Sequence, residues 1–206
     1  MKTALRNLAF FLTHFIFAVP VRLIFQIGTN GHSLIISKEK KYIIAANHPS
    51  KLDPFLILAG LPLKTFLKLI PFAFLTTEDY LKKWNYKPFL LMWGCVSNKE
   101  KNKIKPLQRL KSKLDNDETV FIFPGGELEK RGNPSSHKVG AVYLEREVKD
   151  SFILPVKITV SNKITLINLI KRKVKIKIEF KKVFRHEKFE EDLQPLTKDL
   201  MNKIIS

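Results

Sequence analysis

Apolar positions along the chain fall into three kinds of run, and each predicts a different element. Residues 4–27, ALRNLAFFLTHFIFAVPVRLIFQI, are apolar over most of their length and are interrupted by Thr13, His14, Pro20 and Arg22. A bilayer-crossing helix needs roughly 20 consecutive apolar residues, and the clean run here is shorter. The pattern predicts a helix, kinked near Pro20, that lies in or dips into one leaflet with Arg6 and Arg22 at the headgroups. Lys2 and Arg6 before an apolar stretch also suit a cleaved signal peptide, although no A-x-A site follows. A buried core helix is the third reading.

The second kind of run is short and bounded by turn residues. After a predicted turn at Gly28-Thr29-Asn30-Gly31 come two β-like runs, His32 to Ser37 and Tyr42 to Ala46, separated by Lys38-Glu39-Lys40-Lys41. Tyr42 to Ala46 is apolar throughout, as expected of a strand buried on both faces of a mainly parallel sheet. Asp53-Pro54 reads as N-cap and first residue of a helix that Gly60 stops. By composition, strands are expected over residues 65–70, at Gly94-Cys95-Val96, over 119–123 and over 152–160. Short helical pieces are expected up to Leu91, a helix from the Lys-rich stretch 99–105 to Leu114, and another over 137–148.

The third kind is strictly alternating. In Lys173 to Phe180, Val174, Ile176, Ile178 and Phe180 point one way and charged residues the other, predicting an edge strand or a one-sided strand. Residues 190–205 close the chain as an amphipathic helix. The order predicts one α/β domain: a mixed, mostly parallel sheet flanked by helices. Residues 1–30 form an N-terminal membrane-anchoring segment and residues 31–206 the remaining domain. No internal repeat or low-complexity linker divides it.

Composition changes this picture in one respect. Among 206 residues, 37 Lys and Arg face 19 Asp and Glu, a formal net charge of +18, so a partner carrying negative charge is expected. Nucleic acid and an anionic membrane surface both satisfy that demand. Many of the sixteen phenylalanines fall in apolar clusters near the N-terminus and around residues 66–74 rather than between basic residues, which favours lipid. The single cysteine, Cys95, excludes an intramolecular disulfide and a cysteine metal cluster.

Candidate chemistry sits where the buried strand ends. Asn47-His48-Pro49-Ser50-Lys51-Leu52-Asp53 places an imidazole and a carboxylate in a strand-to-helix loop. A hydroxyl attacking a carbonyl needs a base with a pKa near 7, which histidine supplies and a carboxylate orients. The alternative is a loop histidine beside a helix cap, and the two residues alone leave both readings open. No G-x-S-x-G elbow is present, so a serine-hydrolase mechanism lacks its nucleophile. Phe123-Pro124-Gly125-Gly126-Glu127 is the second constellation. Its backbone N–H groups can form an anion-binding concavity, with Glu127, Lys130 and Arg131 as polar handles. An ordinary Pro-Gly turn is the plainer reading.

Taken together, these stretches resemble the PlsC-like glycerolipid acyltransferase family, which includes lysophosphatidic acid acyltransferases. The family's Asn-His, four residues, Asp motif is matched by Asn47, His48 and Asp53, with Ser50 at its usual place. Its Phe-Pro-Glu-Gly-Thr-Arg motif falls downstream as Phe123-Pro124-Gly125-Gly126-Glu127-Leu128, and Ile153-Leu154-Pro155-Val156 matches a further motif. The motif with Asp-Arg is reduced to Gly94-Cys95-Val96-Ser97-Asn98-Lys99, without arginine. Gly125 also stands where members handling phosphorylated acceptors usually carry Glu. Lys99, Lys101, Lys130 or Arg131 are candidate replacements, although a lysine point charge is not an arginine fork.

The resemblance implies an O-acyltransferase on the cytoplasmic face of the cell membrane. His48 and Asp53 would be its catalytic residues, and Asn47, Ser50, Phe123, Pro124, Gly125, Gly126, Glu127, Lys130 and Arg131 would bind substrate. It implies no metal and no cofactor, with acyl-CoA or acyl-carrier protein as co-substrate. The expected acceptor is 1-acyl-glycerol-3-phosphate. A neutral glycerolipid such as diacylglycerol is the alternative, because the Phe-Pro-Gly-Gly form with a following Glu is similar to the branch acylating such acceptors. A basic nucleic-acid-binding protein would explain the charge but not the apolar N-terminus or the ordered motifs. A lipid hydrolase would need a nucleophile or metal that the motifs do not supply.

Overall fold

A computed structural model describes residues 2–31, 41–50, 52–76, 78–84, 87–98, 104–126, 137–162, 164–165, 168 and 173–206. Seven strands form one sheet: β1 (Ile27–Asn30), β2 (Lys41–Ala46), β3 (Phe72–Thr76), β4 (Cys95–Ser97), β5 (Thr119–Ile122), β6 (Ser151–Val160) and β7 (Ile176–Phe180). Their spatial order is β1-β7-β6-β2-β5-β3-β4. Every neighbouring pair is parallel except β6 and β7. The expected single α/β domain with a mixed, mostly parallel sheet is therefore the fold observed. The sequence run over residues 32–37 lies outside the described residues.

β2 shows why the sheet needs helices on both sides. Tyr42, Ile44 and Ala46 point into one apolar layer, and Ile43 and Ala45 into the other. All five are buried, which accounts for a run with no polar alternation. The first layer is covered by α1 (Lys2–Thr13), a π-helical turn (His14–Ala18), α2 (Val19–Ile24), α3 (Asp53–Gly60) and α4 (Leu63–Leu69). α5 (Glu78–Lys82) and α6 (Lys87–Met92) lead to Trp93 on the same side. The second layer is covered by α7 (Ile104–Asp115), α8 (Gly140–Glu147) and the final helix, α9 (Gln194–Ile205).

Several expectations are corrected by packing. The N-terminal helix is distorted at His14–Ala18, one turn before Pro20, rather than at the proline. A proline ring crowds the carbonyl four residues back and offers no N–H, so the preceding turn widens. Gly28 to Asn30 is not a turn but most of β1, paired with β7, and the positive φ falls after it, at Gly31. Of residues 65–70, expected as a strand, all but the C-cap Ile70 belong to α4, where Thr65, Phe66 and Leu69 are buried at helical spacing and Leu63 and Leu67 face out. The strand of that region is β3, which composition placed among helical pieces. β7 alternates as expected, but it is flanked by β1 and β6 and is one-sided rather than an edge.

A buried polar clasp fastens the C-terminal segment to α8. Glu145 is fully buried, and its carboxylate accepts the backbone N–H of His186 at 2.8 Å and meets His186 Nδ1 at 2.6 Å. Asp199 on α9 lies 3.7 Å from His186 Nε2. A carboxylate in an apolar layer is tolerated only with such partners.

Two stability outcomes follow from this packing. Glu145→Ala strands the His186 donors and is expected to cost roughly 3 kcal/mol in denaturant or thermal unfolding, the usual penalty for halving a buried pair. Gly31 has φ +76°, and a Cβ there would collide with the Phe180 carbonyl oxygen. Gly31→Ala is therefore expected to lower the melting temperature, whereas Gly28→Ala, whose Cβ would reach no atom closer than 4.0 Å, serves as the tolerant control.

Candidate active site

The site is built where β2 runs out. In the parallel pairing, Ala46 lies opposite Val156 of β6, and β6 continues four residues further to Val160. Asn47 bridges that gap with its side chain. Its Nδ2–H donates to the Ile158 carbonyl at 2.9 Å, and its Oδ1 accepts the Ile158 N–H at 2.6 Å. One amide thus imitates a further residue of strand and aims the chain out of the sheet at His48.

His48 and Asp53 are joined there. His48 Nδ1 lies 2.8 Å from Asp53 Oδ2. The same oxygen accepts the Ser50 N–H at 2.9 Å, while Oδ1 accepts the Ser50 hydroxyl at 2.6 Å. The carboxylate is fully buried, and the imidazole remains 20% exposed. An Nδ1–H directed at the carboxylate leaves the Nε2 lone pair as the proton acceptor. The expected N-cap role of Asp53 is corrected. Leu52 occupies the N-cap without a side-chain hydrogen bond, and Asp53, inside the first turn, spends its oxygens on the loop instead.

The second constellation meets the first through an aromatic contact. Phe123 stacks on His48 with ring centroids 4.1 Å apart and planes 18° off parallel. The chain then turns, with the Gly126 N–H donating to the Phe123 carbonyl at 2.8 Å. This bond occupies one of the N–H groups expected to line an anion concavity. Gly126 has φ +71°, and a Cβ there would run into the Lys138 side chain. Lys138 returns to the turn through its own N–H, bonded to the Pro124 carbonyl at 2.7 Å.

The fold therefore brings together Asn47, His48, Ser50, Asp53, Phe123, Pro124, Gly125 and Gly126. Glu127, Lys130 and Arg131, like Lys99 and Lys101, lie outside the described residues. Asn47 and Ser50 have intramolecular partners that position the pair. Sequence reading missed Ile158 and Lys138, because nothing local in either stretch marks it as a neighbour of residues 47–53. Phe10, His14, Phe55, Leu58, Phe66 and Trp93, among others, line a narrow void of about 10 Å³, room for little more than one water. Phe55 lies only two residues beyond Asp53.

A His–carboxylate pair at the C-terminal mouth of an open α/β sheet is the arrangement of an enzyme working by proton transfer. Residues 30–159 match the family model described as Acyltransferase, and the chain belongs to that family of enzymes. Its fold is also that of a solved structure, the 1-acyl-sn-glycerophosphate (LPA) acyltransferase PlsC from Thermotoga maritima. The TM-score is 0.62 and the identity 20%, over 87% of this chain and 69% of that one. No curated protein matches the chain in sequence.

The Asn47 bridge carries its own expected outcome. Asn47→Ala leaves a donor and an acceptor of Ile158 without partners and is expected to destabilise the fold by about 1–3 kcal/mol. The loss should be localised, with amide exchange at the β2–β6 mouth accelerating more than exchange at Ile43 or Leu154.

Proposed function

We propose that this acyltransferase is a membrane-associated O-acyltransferase that moves a fatty acyl group from acyl-CoA or acyl-carrier protein to a glycerolipid hydroxyl. The observation that carries the reading is the 2.8 Å contact of His48 Nδ1 with the buried Asp53 in a chain of this family. In the mechanism, His48 Nε2 takes the proton of the acceptor hydroxyl as its oxygen attacks the thioester carbonyl. Asp53 orients the ring and stabilises the imidazolium. The tetrahedral intermediate collapses with loss of thiolate, which recovers the proton from His48. The acyl group passes directly between substrates, with no protein nucleophile and no metal.

The setting supports a lipid acceptor. Asn7–Ile24 is, among the described residues, the one stretch long and apolar enough to cross a membrane. Its inner face, through Phe10 and Ala18, is buried, as is Phe25 just beyond it. In this reading the helical part of residues 1–30 attaches to the membrane on the cytoplasmic face, while β1 (Ile27–Asn30) belongs with residues 31–206 to the catalytic domain. Lysines near an anionic leaflet add about 1 kcal/mol each.

The acceptor assigned is 1-acyl-glycerol-3-phosphate. The second reading is a neutral glycerolipid, favoured by Gly125 and by Glu127-Leu128 at the positions where the family's phosphate-handling motif has Glu and Thr-Arg.

Acyl transfer by membranes containing the chain, with labelled donor and a panel of acceptors, tests the reading. His48→Ala is expected to lose roughly 10²–10⁴-fold in turnover while staying membrane-bound, the range for removing a general base. Asp53→Asn should lose activity in the same direction. Near-normal turnover in His48→Ala would exclude the mechanism, and comparison of lysophosphatidate with diacylglycerol assigns the acceptor.

A further inference from the structure

The two faces of the sheet are finished differently. On the side carrying the N-terminal helix, large apolar side chains remain exposed: Leu12, Ile16 and Leu23 on that helix, Leu67 on α4, Leu91 on α6, and Trp84 between α5 and α6. On the side covered by α7, α8 and α9, the exposed large apolar residues among those described are Ile104 and Ile205. Single exposed leucines need no explanation, but a one-sided accumulation does.

Trp84 stands out within that set. It is 87% exposed, whereas Trp93, nine residues on, is 5% exposed and packs on Phe10 and Phe55 at 5.6 and 5.0 Å. Indole has an apolar body and one N–H donor, a combination that water serves poorly and the headgroup region of a bilayer serves well. Lys82, Lys83 and Lys87 surround it in sequence and are exposed. Lys82 reaches Glu78 at 3.4 Å, and Asp79 is the other carboxylate of α5, so the segment keeps a small positive excess.

Topology places this segment on the active-site side. β3 is parallel to β5, and β5 to β2, so Thr76 ends at the same end of the sheet as Ala46, which precedes His48. α5 and Trp84 follow directly from Thr76. α6 then returns to Trp93, beside Phe10 of the N-terminal helix. Along the chain the Trp84 turn thus lies between Thr76, which ends on the active-site side of the sheet, and Trp93, which packs on the N-terminal helix.

We infer that the α5–α6 turn is a second membrane contact, in which Trp84 inserts at the headgroup level of an anionic bilayer and Lys82, Lys83 and Lys87 face its phosphates. This rests on the reading of the chain as an enzyme of lipid surfaces. It adds that attachment has two points, so that the sheet's mouth is held against the bilayer rather than tethered near it. Two points of contact fix an orientation that one helix leaves free to swivel.

Fluorescence of the full-length Trp93→Phe variant, in which Trp84 is the sole indole, tests the contact. The chain is reconstituted by detergent removal into vesicles of phosphatidylcholine alone or mixed with phosphatidylglycerol, with and without lipids brominated along their acyl chains. Trp84 emission is expected to shift to the blue and to be quenched by brominated lipid in the anionic vesicles. Both effects should weaken in phosphatidylcholine alone and in the Lys83→Gln, Lys87→Gln double variant. Should Trp93→Phe fail to fold, the difference spectrum between wild type and Trp84→Ser reports the same residue. Water-like emission from vesicle-bound chain overturns the inference, as does a blue shift that follows protein concentration without lipid, which would make the patch a contact between copies. Acyl transfer in the same vesicles separates the two readings. Transfer with Trp84 in water leaves the enzyme and removes the contact, whereas immersed Trp84 without transfer supports the contact and removes the enzymatic reading.

Discussion

A parallel strand buried on both faces cannot simply stop, because its last backbone groups would be left in an apolar layer without partners. β2 solves this with Asn47, whose amide replaces one residue of strand against Ile158. The rest of the site depends on that substitution. It sets the point and direction at which the chain leaves the sheet, and hence where His48 emerges, within reach of an aspartate five residues on. The tight loop that follows is held by Ser50, which gives both its N–H and its hydroxyl to Asp53. The buried carboxylate is satisfied wholly by its own loop, so the pair is formed before any substrate arrives.

Phe123 extends this preorganisation across the sheet. β5 is the neighbour of β2, and the residue after β5 stacks on the ring that follows β2. The aromatic face restricts the imidazole on the side that Asp53 does not control. The Phe123-Pro124-Gly125-Gly126 turn therefore contributes first through packing. Gly126 is required by its positive φ and by the Lys138 side chain that crosses it, a neighbour brought in by a segment far along the chain.

The two helical layers divide the labour. α7, α8 and α9 close the second layer as in any soluble protein, secured by the Glu145–His186 clasp. The first layer is closed by helices whose inner positions, such as Phe10, Phe25 and Phe66, are core and whose outer positions remain apolar. Such a layer has a surplus of apolar surface.

Local sequence determined a good deal of this. The unbroken apolar run of Tyr42 to Ala46 implied a doubly buried parallel strand, the alternation before Phe180 implied a one-sided strand, and the motif order from Asn47 to Val156 identified the family. These signals were legible because side-chain periodicity and motif spacing are properties of neighbouring residues. The strand within Gly28 to Asn30, the helix at Leu63–Leu69 and the interior place of β7 were not legible, since each is decided by pairing with distant segments. The same holds at the site. The sequence placed His48 and Asp53 in one loop but left Asp53 equally a helix cap; only the tertiary structure turned its carboxylate away from the helix. It could do so because Ile158 and Ser50 hold the loop in a path where imidazole and hydroxyl, rather than helix N–H groups, are the donors in reach.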